Sequence, residues 1–345
     1  MTQLYLSGVS MLTPLGADPL MVKTAIDAGI SSYQYCPLAG KDEPPIQFSP
    51  VPDGALNIRL PDMLPGMSPP HIRLLKLAAF ALADLAPQLP DVPLPLFLAG
   101  PEPYYGHTAL NQNFLSHLAK ATGVALDIGN SRCISLGRAG SIEAIATAFK
   151  FFSASDAHYA LVGGIDSFYD LRTLGILGDS RRLSGHGSFD GFVPGEGAGF
   201  LLLISPHAPE AQRANSLLTL QLPATVYEPG NLLGSAPYTA EALAAAFQHA
   251  ISVTEGMVNT LYSSENGEMH YTKELTVARQ RLQQRIAAGC KLYRPAEYFG
   301  DLGAAFAPVA IGLATVDIQA GGNQKTLVYA SSDGGYRSAL CLRAV

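Results

Sequence analysis

There is no tryptophan in the 345 residues, and charged side chains make up only 14% of them, against roughly a quarter in average soluble domains. A solvated, disordered chain is excluded, because 48% of the residues are apolar and a chain of this length can bury a substantial core with them. The charges form no run of one sign, and 22 Lys and Arg stand against 28 Asp and Glu. A nucleic-acid or acidic-membrane partner therefore has no electrostatic footprint to meet. Cysteine is scarce: Cys36, Cys133, Cys290 and Cys341 lie far apart, which excludes a disulfide framework and a zinc-type spacing and reads as reduced, mostly buried thiols. Residues 1–16 carry no basic stretch followed by a long apolar run, and no apolar segment reaches about 18 uninterrupted residues. The expectation is a soluble, cytoplasmic chain without a membrane span, metal or cofactor.

What is present is an alternation of apolar runs and helical periods, punctuated by 34 Gly and 25 Pro. Residues 5–12 read as a strand, 13–16 as a turn and 21–28 as a helix; 42–70 read as an irregular surface excursion that keeps some apolar residues. Next come a helix over 71–86, a strand over 94–99, a helix over 139–153 and a strand over 159–162 that stops at Gly163-Gly164. The small face Ala139, Gly140, Ala144, Ala148 places the third helix among close neighbours. Residues 192–204 read as a Gly-rich turn followed by a strand, and 205–216 as a polar separator. Beyond it the pattern predicts strands at 217–226, 258–262, 326–331 and 338–343, and helices at 240–253, 273–288 and 303–314. Such alternation predicts α/β layers over mixed sheets, in an N-terminal half 1–210 and a similarly built C-terminal half 211–345.

Several motifs stand in a recognisable order. Leu6-Ser7-Gly8-Val9 precedes Thr13-Pro14-Leu15-Gly16; ALVGGID occupies 160–166; DGFVPGEGAG occupies 190–199; Gly300-Asp301-Leu302-Gly303-Ala304-Ala305 and a final loop with Gly334-Gly335 follow. This series resembles the β-ketoacyl synthases of the thiolase fold, which elongate fatty acids and polyketides. The segment at 190–199 is the most specific, because an ordinary tight turn explains its glycines, Gly195 and Gly197 among them, but not Asp190, Phe192 and Glu196. The resemblance implies a thiolase-like α/β fold of two αβα-layered halves with mixed central sheets packed together.

A condensing enzyme needs a cysteine thiolate at a helix N-terminus and a donor pair, two His or a His and an Asn, for the enolate oxygen. Counting back from Gly163 by the family's interval lands on Arg138, which cannot act as a nucleophile. The first donor histidine is replaced by Ser264 or Glu265, and the second, before Gly303, by Asp301, whose charge would repel an enolate. His270 falls too late and reads as a surface-loop histidine; Ala296 stands where the family has a lysine. Arg138, Glu265 and Asp301 are expected to converge as a buried ionic cluster in the old cavity, buried charges persisting when paired.

The resemblance thus implies a degenerate ketosynthase that works by binding, as a homodimer, as a chain-length-factor-like companion of a ketosynthase-like partner, or as an accessory protein bound to an acyl carrier protein or a secretion-system component. The alternative is an acyltransferase or hydrolase of acyl thioesters using Cys133, Ser135 or the Glu265 and Asp301 carboxylates. A third reading keeps an acyl or pantetheine tunnel lined by Tyr104, Tyr105, Phe168, Phe299 and Phe306.

Overall fold

The computed structural model describes residues 2–35, 45–61, 64–107, 109–185, 188–208, 211, 217–253, 255–321 and 325–345. In chain order the elements are β1 (Gln3–Leu12), α1 (Pro19–Asp27), β2 (Gln34–Tyr35), β3 (Gln47–Phe48), α2 (Pro69–Leu85), β4 (Leu96–Ala99), α3 (Gln112–Thr122), β5 (Arg132–Ile134), α4 (Gly140–Ser153), β6 (Tyr159–Ser167), α5 (Leu171–Asp179) and β7 (Glu196–Ile204). They continue with β8 (Leu218–Gln221), β9 (Ala224–Tyr227), α6 (Glu241–Ser252), β10 (Val258–Ser263), α7 (Met269–Arg281), β11 (Ile286–Tyr293), α8 (Ala296–Phe299), α9 (Phe306–Gly321), β12 (Thr326–Ser331) and β13 (Tyr336–Arg343).

Helix starts follow their local chemistry. Asp18, Asn111 and Asp170 accept hydrogen bonds from Met21, Phe114 and Thr173 N–H, satisfying donors that the first turns of α1, α3 and α5 leave open. Pro19 and Pro69 occupy first-turn positions, where a missing N–H costs nothing.

The strand order is the same in both parts of the chain. One run reads β5-β4-β6-β7-β1 and the other β11-β10-β12-β13-β8, with β9 paired to β13. In each run the first three strands pair in parallel, and the fourth pairs antiparallel with the strands on either side of it. The halves are not separate sheets, however: Gln3–Leu6 of β1 pairs with Leu218–Gln221 of β8, so the ladder runs on across the junction.

The two faces of each sheet half bury different helices. Val328, Leu340 and Leu342 face a central layer in which α4 and α9 also pack against Phe97, Val162 and Leu201 of the other half. Leu327, Tyr329 and Cys341, one residue out of phase, face α6 and α7. On the opposite side, α2 and α3 cover Leu96, Leu98, Leu161 and Leu202. This five-layer arrangement explains α9: with its preceding turn, Gly303–Gly321 is long and apolar enough to cross a membrane, but 78% of that window is buried, as a helix between two sheets must be.

Four expectations are corrected. β6 does not stop at Gly163-Gly164 but runs through them to Ser167, paired with β7 throughout. The glycines serve close approach: a Cβ on Gly164 would collide with Ala304 O and Ser141 Oγ, so α4 and the turn before α9 could not seat. The GEGAG segment is likewise strand, not turn. Residues 217–226 hold two strands, β8 and β9. The helix expected over 273–288 ends at Arg281, and Ile286 begins β11, because parallel pairing with β10 overrides a helix-like period. Within the excursion at 42–70, Ile46, Phe48, Val51 and Leu56 are buried, while 42–44 and 62–63 lie outside the described residues. Cys36 also lies outside them; of the other thiols Cys341 is buried and Cys133 and Cys290 are half-buried.

Candidate functional site

Arg138 sits in the tight turn Gly137–Ala139 that feeds α4, and its side chain enters the interior, 3% exposed. Its Nε and Nη2 donate to Asp301 Oδ2 at 2.8 and 2.5 Å, and its Nη1 donates to Asp333 Oδ1 at 2.7 Å. Asp333, in the turn joining β12 and β13, also accepts on Oδ2 from Arg182 Nη1 at 2.7 Å. Arg182, just beyond α5, holds Glu268 with Nε and Nη2 at 2.7 and 2.6 Å. Asn266 Nδ2 then donates to Glu268 Oε2 and to Asp301 Oδ2, at 3.0 Å each. The ring closes: Asp301, Arg138, Asp333, Arg182, Glu268, Asn266. Tyr105 and Tyr271 add hydroxyl donors to Asp333.

Electrostatics within the ring follow from burial. Burial alone pushes Asp333 up, but the guanidinium groups of Arg138 and Arg182 override it and hold the carboxyl well below the usual range. Two carboxyls outside the ring behave oppositely. Burial and then the Asp333 charge push Glu102 up to about 8, against N–H groups of Asp333 and Gly334 that donate to it. Burial pushes Asp166 up to about 7, although Ala304 and Ser167 N–H groups donate to it.

The motif at 190–199 builds the frame around this ring. Gly195 N donates to Asp301 O and Asp301 N donates to Val193 O, fixing the aspartate backbone. Gly303 adopts φ 50° with Asp166 directly beneath, a position where a Cβ has no room, and its N–H donates to Asp301 Oδ1. Glu196, fully buried, takes Arg73 bidentately at 2.5 and 2.6 Å, with Val51 N–H and Ser167 Oγ as further donors. Phe192 packs in the cluster of Ile46, Phe48, Phe168 and Leu183. Asp190 accepts from Met269 N–H at the start of α7.

Of the expected trio, Arg138 and Asp301 meet and Glu265 does not join them. Glu265 turns the other way, to Ser263 Oγ and Arg294 Nε at 3.1 and 2.9 Å. Ser264 Oγ accepts from Ser331 N–H, a structural bond. His270 is not on a loop but in the first turn of α7, half-buried between Tyr238 and Tyr271, and burial lowers its pKa. Cys133 lies on edge strand β5, its thiol pushed up to about 12 by burial, the opposite of an activated nucleophile. The aromatics do not share one tunnel: Tyr104 is exposed, Phe299 and Phe306 belong to the central core, and only Tyr105 and Phe168 border the space beside Arg138. That space is about 20 Å³, enough for roughly one water and an order of magnitude below ordinary ligand pockets.

Asp333, Arg182, Glu268 and Asn266 were not singled out in the sequence, although Asp333 belongs to the loop preceding Gly334-Gly335. Among the described residues no three His, Cys, Asp or Glu side chains are placed to hold a metal ion.

No family model matches the sequence, and no curated protein matches it. Solved structures do. The ketosynthase from module 6 of the bacillaene synthase of Bacillus subtilis 168 superposes with a TM-score of 0.78 at 15% identity, over 99% of this chain and 72% of its own. The ishigamide ketosynthase/chain length factor gives 0.78 at 14% identity, over 100% of this chain and 99% of that one. This chain has the ketosynthase fold. A type II polyketide ketosynthase, AntDE, seen with its acyl-carrier protein AntF and bound to the hexaketide, gives 0.76 at 15% identity and full coverage of both chains. At these identities the likeness is one of fold, and the ketosynthase-like architecture is what frames the ring.

Proposed function

We propose that this ketosynthase-like protein does not condense acyl thioesters and acts instead by association. Arg138 carries the reading: it stands in the turn into α4, where the resemblance puts the nucleophilic cysteine, and is locked there by Asp301 and Asp333. A permanent cation tied to two carboxylates supplies neither a thiolate nor a donor pair free for an enolate. The remaining space of about 20 Å³ also leaves no route for an acyl chain. The halves 1–210 and 211–345 then serve as a cytoplasmic scaffold that pairs with itself or with a ketosynthase-like partner, as the ketosynthase/chain length factor assembly does. An acyl carrier protein or a secretion-system component is a further candidate partner. The sheet offers such a partner an open edge at β5, whose Cys133 and Ile134 are only half-buried.

The test has two arms. Incubation with malonyl and acyl thioesters, followed by intact mass and by release of carbon dioxide, is expected to give no adduct and no turnover. Size exclusion with light scattering is expected to give a dimer of the 36.4 kDa chain, or a stable complex with a ketosynthase purified from the same host. Turnover, or a monomer that captures no partner, overturns the proposal.

A further inference from the structure

Charge is unevenly spread over this chain. Between Glu274 and Glu297 there are five Lys and Arg and no Asp or Glu, although the formal net charge of the whole is -6. The five are too widely spaced to form a run, but the fold places them at the end of α7, in the turn after it and on and just past β11, on the outer part of the C-terminal half. Arg279 is half-buried, and Arg281, Arg285 and Lys291 are exposed. Arg294 is neutralised by Glu265, whereas Arg279 and Arg285 pair with no carboxylate among the described residues. Unpaired guanidinium groups are ready donors to a carboxylate brought from outside.

These arginines flank a cavity that owes its existence to β11. Val258 of β10 aligns with Ile286, but Thr260, two residues on, aligns with Lys291, five residues on, so the edge strand carries three more residues than its neighbour and bows away beside α7. The space is about 640 Å³, walled by Met257, Leu275, Ile286, Ala287 and Ala288, with Arg279 on its border. Met257 is 44% exposed, and Val253, earlier in the same connection from α6, is 37% exposed. Arg285 stands between the lining residues Gln283 and Ile286 and donates to Ile251 O at the end of α6, which puts the second unpaired guanidinium beside the cavity. Glu255, exposed ahead of Met257, pairs with neither arginine.

The surroundings narrow the occupant. A bulged edge is a poor template for strand addition, so the occupant enters the cavity instead of extending the sheet. A small anion would meet Arg279 and leave the apolar walls in water. Among the lining residues there is no aromatic ring on which a base could stack. An anionic membrane is met by cations spread over a face, whereas these stand beside a concavity. An apolar side chain with carboxylates on either side of it satisfies both the walls and the two arginines.

We infer that this face docks an acidic, amphipathic segment of a partner protein, an apolar side chain entering the cavity and the flanking carboxylates pairing with Arg279 and Arg285. The surface is separate from the β5 edge and no ring residue borders it, so it stands or falls apart from the pairing proposed above.

Fluorescence anisotropy of the full chain with labelled synthetic peptides of about twelve residues, a central Leu, Ile, Met or Phe flanked by Asp and Glu, tests the inference. At least one peptide is expected to bind saturably, and more weakly as salt is raised. Its Asn and Gln counterpart, and its counterpart with Ser at the centre, are each expected to bind at least about tenfold more weakly, as is the parent peptide to Arg279→Glu, Arg285→Glu. Oligo-dT and phosphatidylserine vesicles are the competing probes. No saturable binding by any peptide overturns the inference, as do tighter binding of either competing probe and binding that survives the charge reversal. Should the double variant not fold, Arg279→Glu alone and the peptide series on the unaltered protein decide the matter. A dimer in light scattering without peptide binding would leave the association reading standing and remove this surface from it.

Discussion

Asp333 accepts a guanidinium on each of its two oxygens, Arg138 on Oδ1 and Arg182 on Oδ2, both at 2.7 Å. These two arginines come from the turn before α4 and the segment after α5, and the aspartate comes from the β12–β13 turn, so a single carboxylate ties the N-terminal half to the C-terminal one. A buried ion pair is weak evidence of stabilisation when compared with apolar packing, but breaking one is expensive because the surviving charge stays buried. Removing Arg138 is the sharper case. Arg138→Ala leaves Asp301 and Asp333 facing each other across a void, and a loss of about 3–5 kcal/mol is expected in urea unfolding. The triple variant Arg138→Met, Asp301→Leu, Asp333→Leu is expected to lose less than the sum of its single changes, because no charge is left stranded. Additive losses would mean that the three side chains do not act as one unit.

Glu196 offers a similar contrast at a second place. The carboxylate is fully buried and its main partner, Arg73, reaches it from α2. Arg73→Ala is expected to cost about 3–5 kcal/mol. Gly164→Ala, which drives a methyl group into Ala304 O and Ser141 Oγ, is expected to cost about 1–3 kcal/mol by overpacking. Guanidinium unfolding curves measure both; losses under about 0.5 kcal/mol would show that the frame tolerates what its geometry forbids.

Much of this frame is legible in the sequence, and the reason is local. Gly163-Gly164 and the run from Asp190 to Gly199 are contiguous residues whose identities answer to a single close approach, so they can be found by reading along the chain. Arg138 and Asp301 are legible by their distance from those landmarks. Arg182 and Asp333 are not, because each is an isolated charge whose partners are set by how distant turns meet. Glu265 and Asn266 show a finer limit. They are neighbours in the extended run after β10, where successive side chains point opposite ways, so Asn266 turns in to Asp301 while Glu265 turns out to Arg294. A shift of one residue in register decides which belongs to the ring. β11 escaped for another reason: Leu282, Ile286 and Cys290 repeat at helical spacing, and only the adjacent edge of β10 makes the segment a strand.

The raised carboxyls set a pH dependence with a definite sign. Glu102, at about 8, and Asp166, at about 7, hold protons in the folded state that ordinary carboxyls of the unfolded chain release. For groups of this kind stability is greatest below the unfolded value and is lost as pH rises through the folded one. Near pH 7.5 unfolding is expected to release about one proton, and these two carboxyls are expected to make stability fall from about pH 4.5, where the unfolded carboxyls ionise, to about pH 8.5. His107, lowered to about 4 by burial, and His270 work in the opposite sense, since they must take up protons on unfolding below their ordinary value; the alkaline fall is therefore not matched by a similar rise at acid pH. Calorimetric enthalpies in buffers of different ionisation heat count the protons, and net uptake near pH 7.5 would reverse the assignment.

Cys133 provides a check on altered chemistry. A thiol pushed up to about 12 by burial is almost wholly protonated at neutral pH. Its alkylation by iodoacetamide at about pH 7.5 is expected to be at least about a hundredfold slower than that of a free cysteine. Intact mass over time, compared with Cys133→Ala, gives the rate; rapid labelling of this one thiol would revive a nucleophilic role for it.

Arg138→Cys asks whether the family's nucleophile can simply be put back. The new thiol would sit in the turn into α4, where a helix N-terminus favours a thiolate. It would also sit where the guanidinium now separates Asp301 from Asp333, and with that cation gone both carboxylates face the sulfur. Like charges at hydrogen-bonding distance outweigh a helix terminus, which contributes on the order of 0.3–1 kcal/mol, so the thiol is expected to stay protonated. Asp301 would in addition repel an enolate that a working site must stabilise. Arg138→Cys alone is therefore expected to form no acyl adduct with acyl thioesters at neutral pH. Adding Asp301→His and Asp333→Asn removes both negative charges and introduces a donor, and with the volume of the Arg138 guanidinium vacated an adduct with a short acetyl thioester, though not with a long acyl chain, is expected first in that triple variant. If the single variant acylates readily, the carboxylates do not govern the site, and the ring is no barrier to the chemistry of the fold.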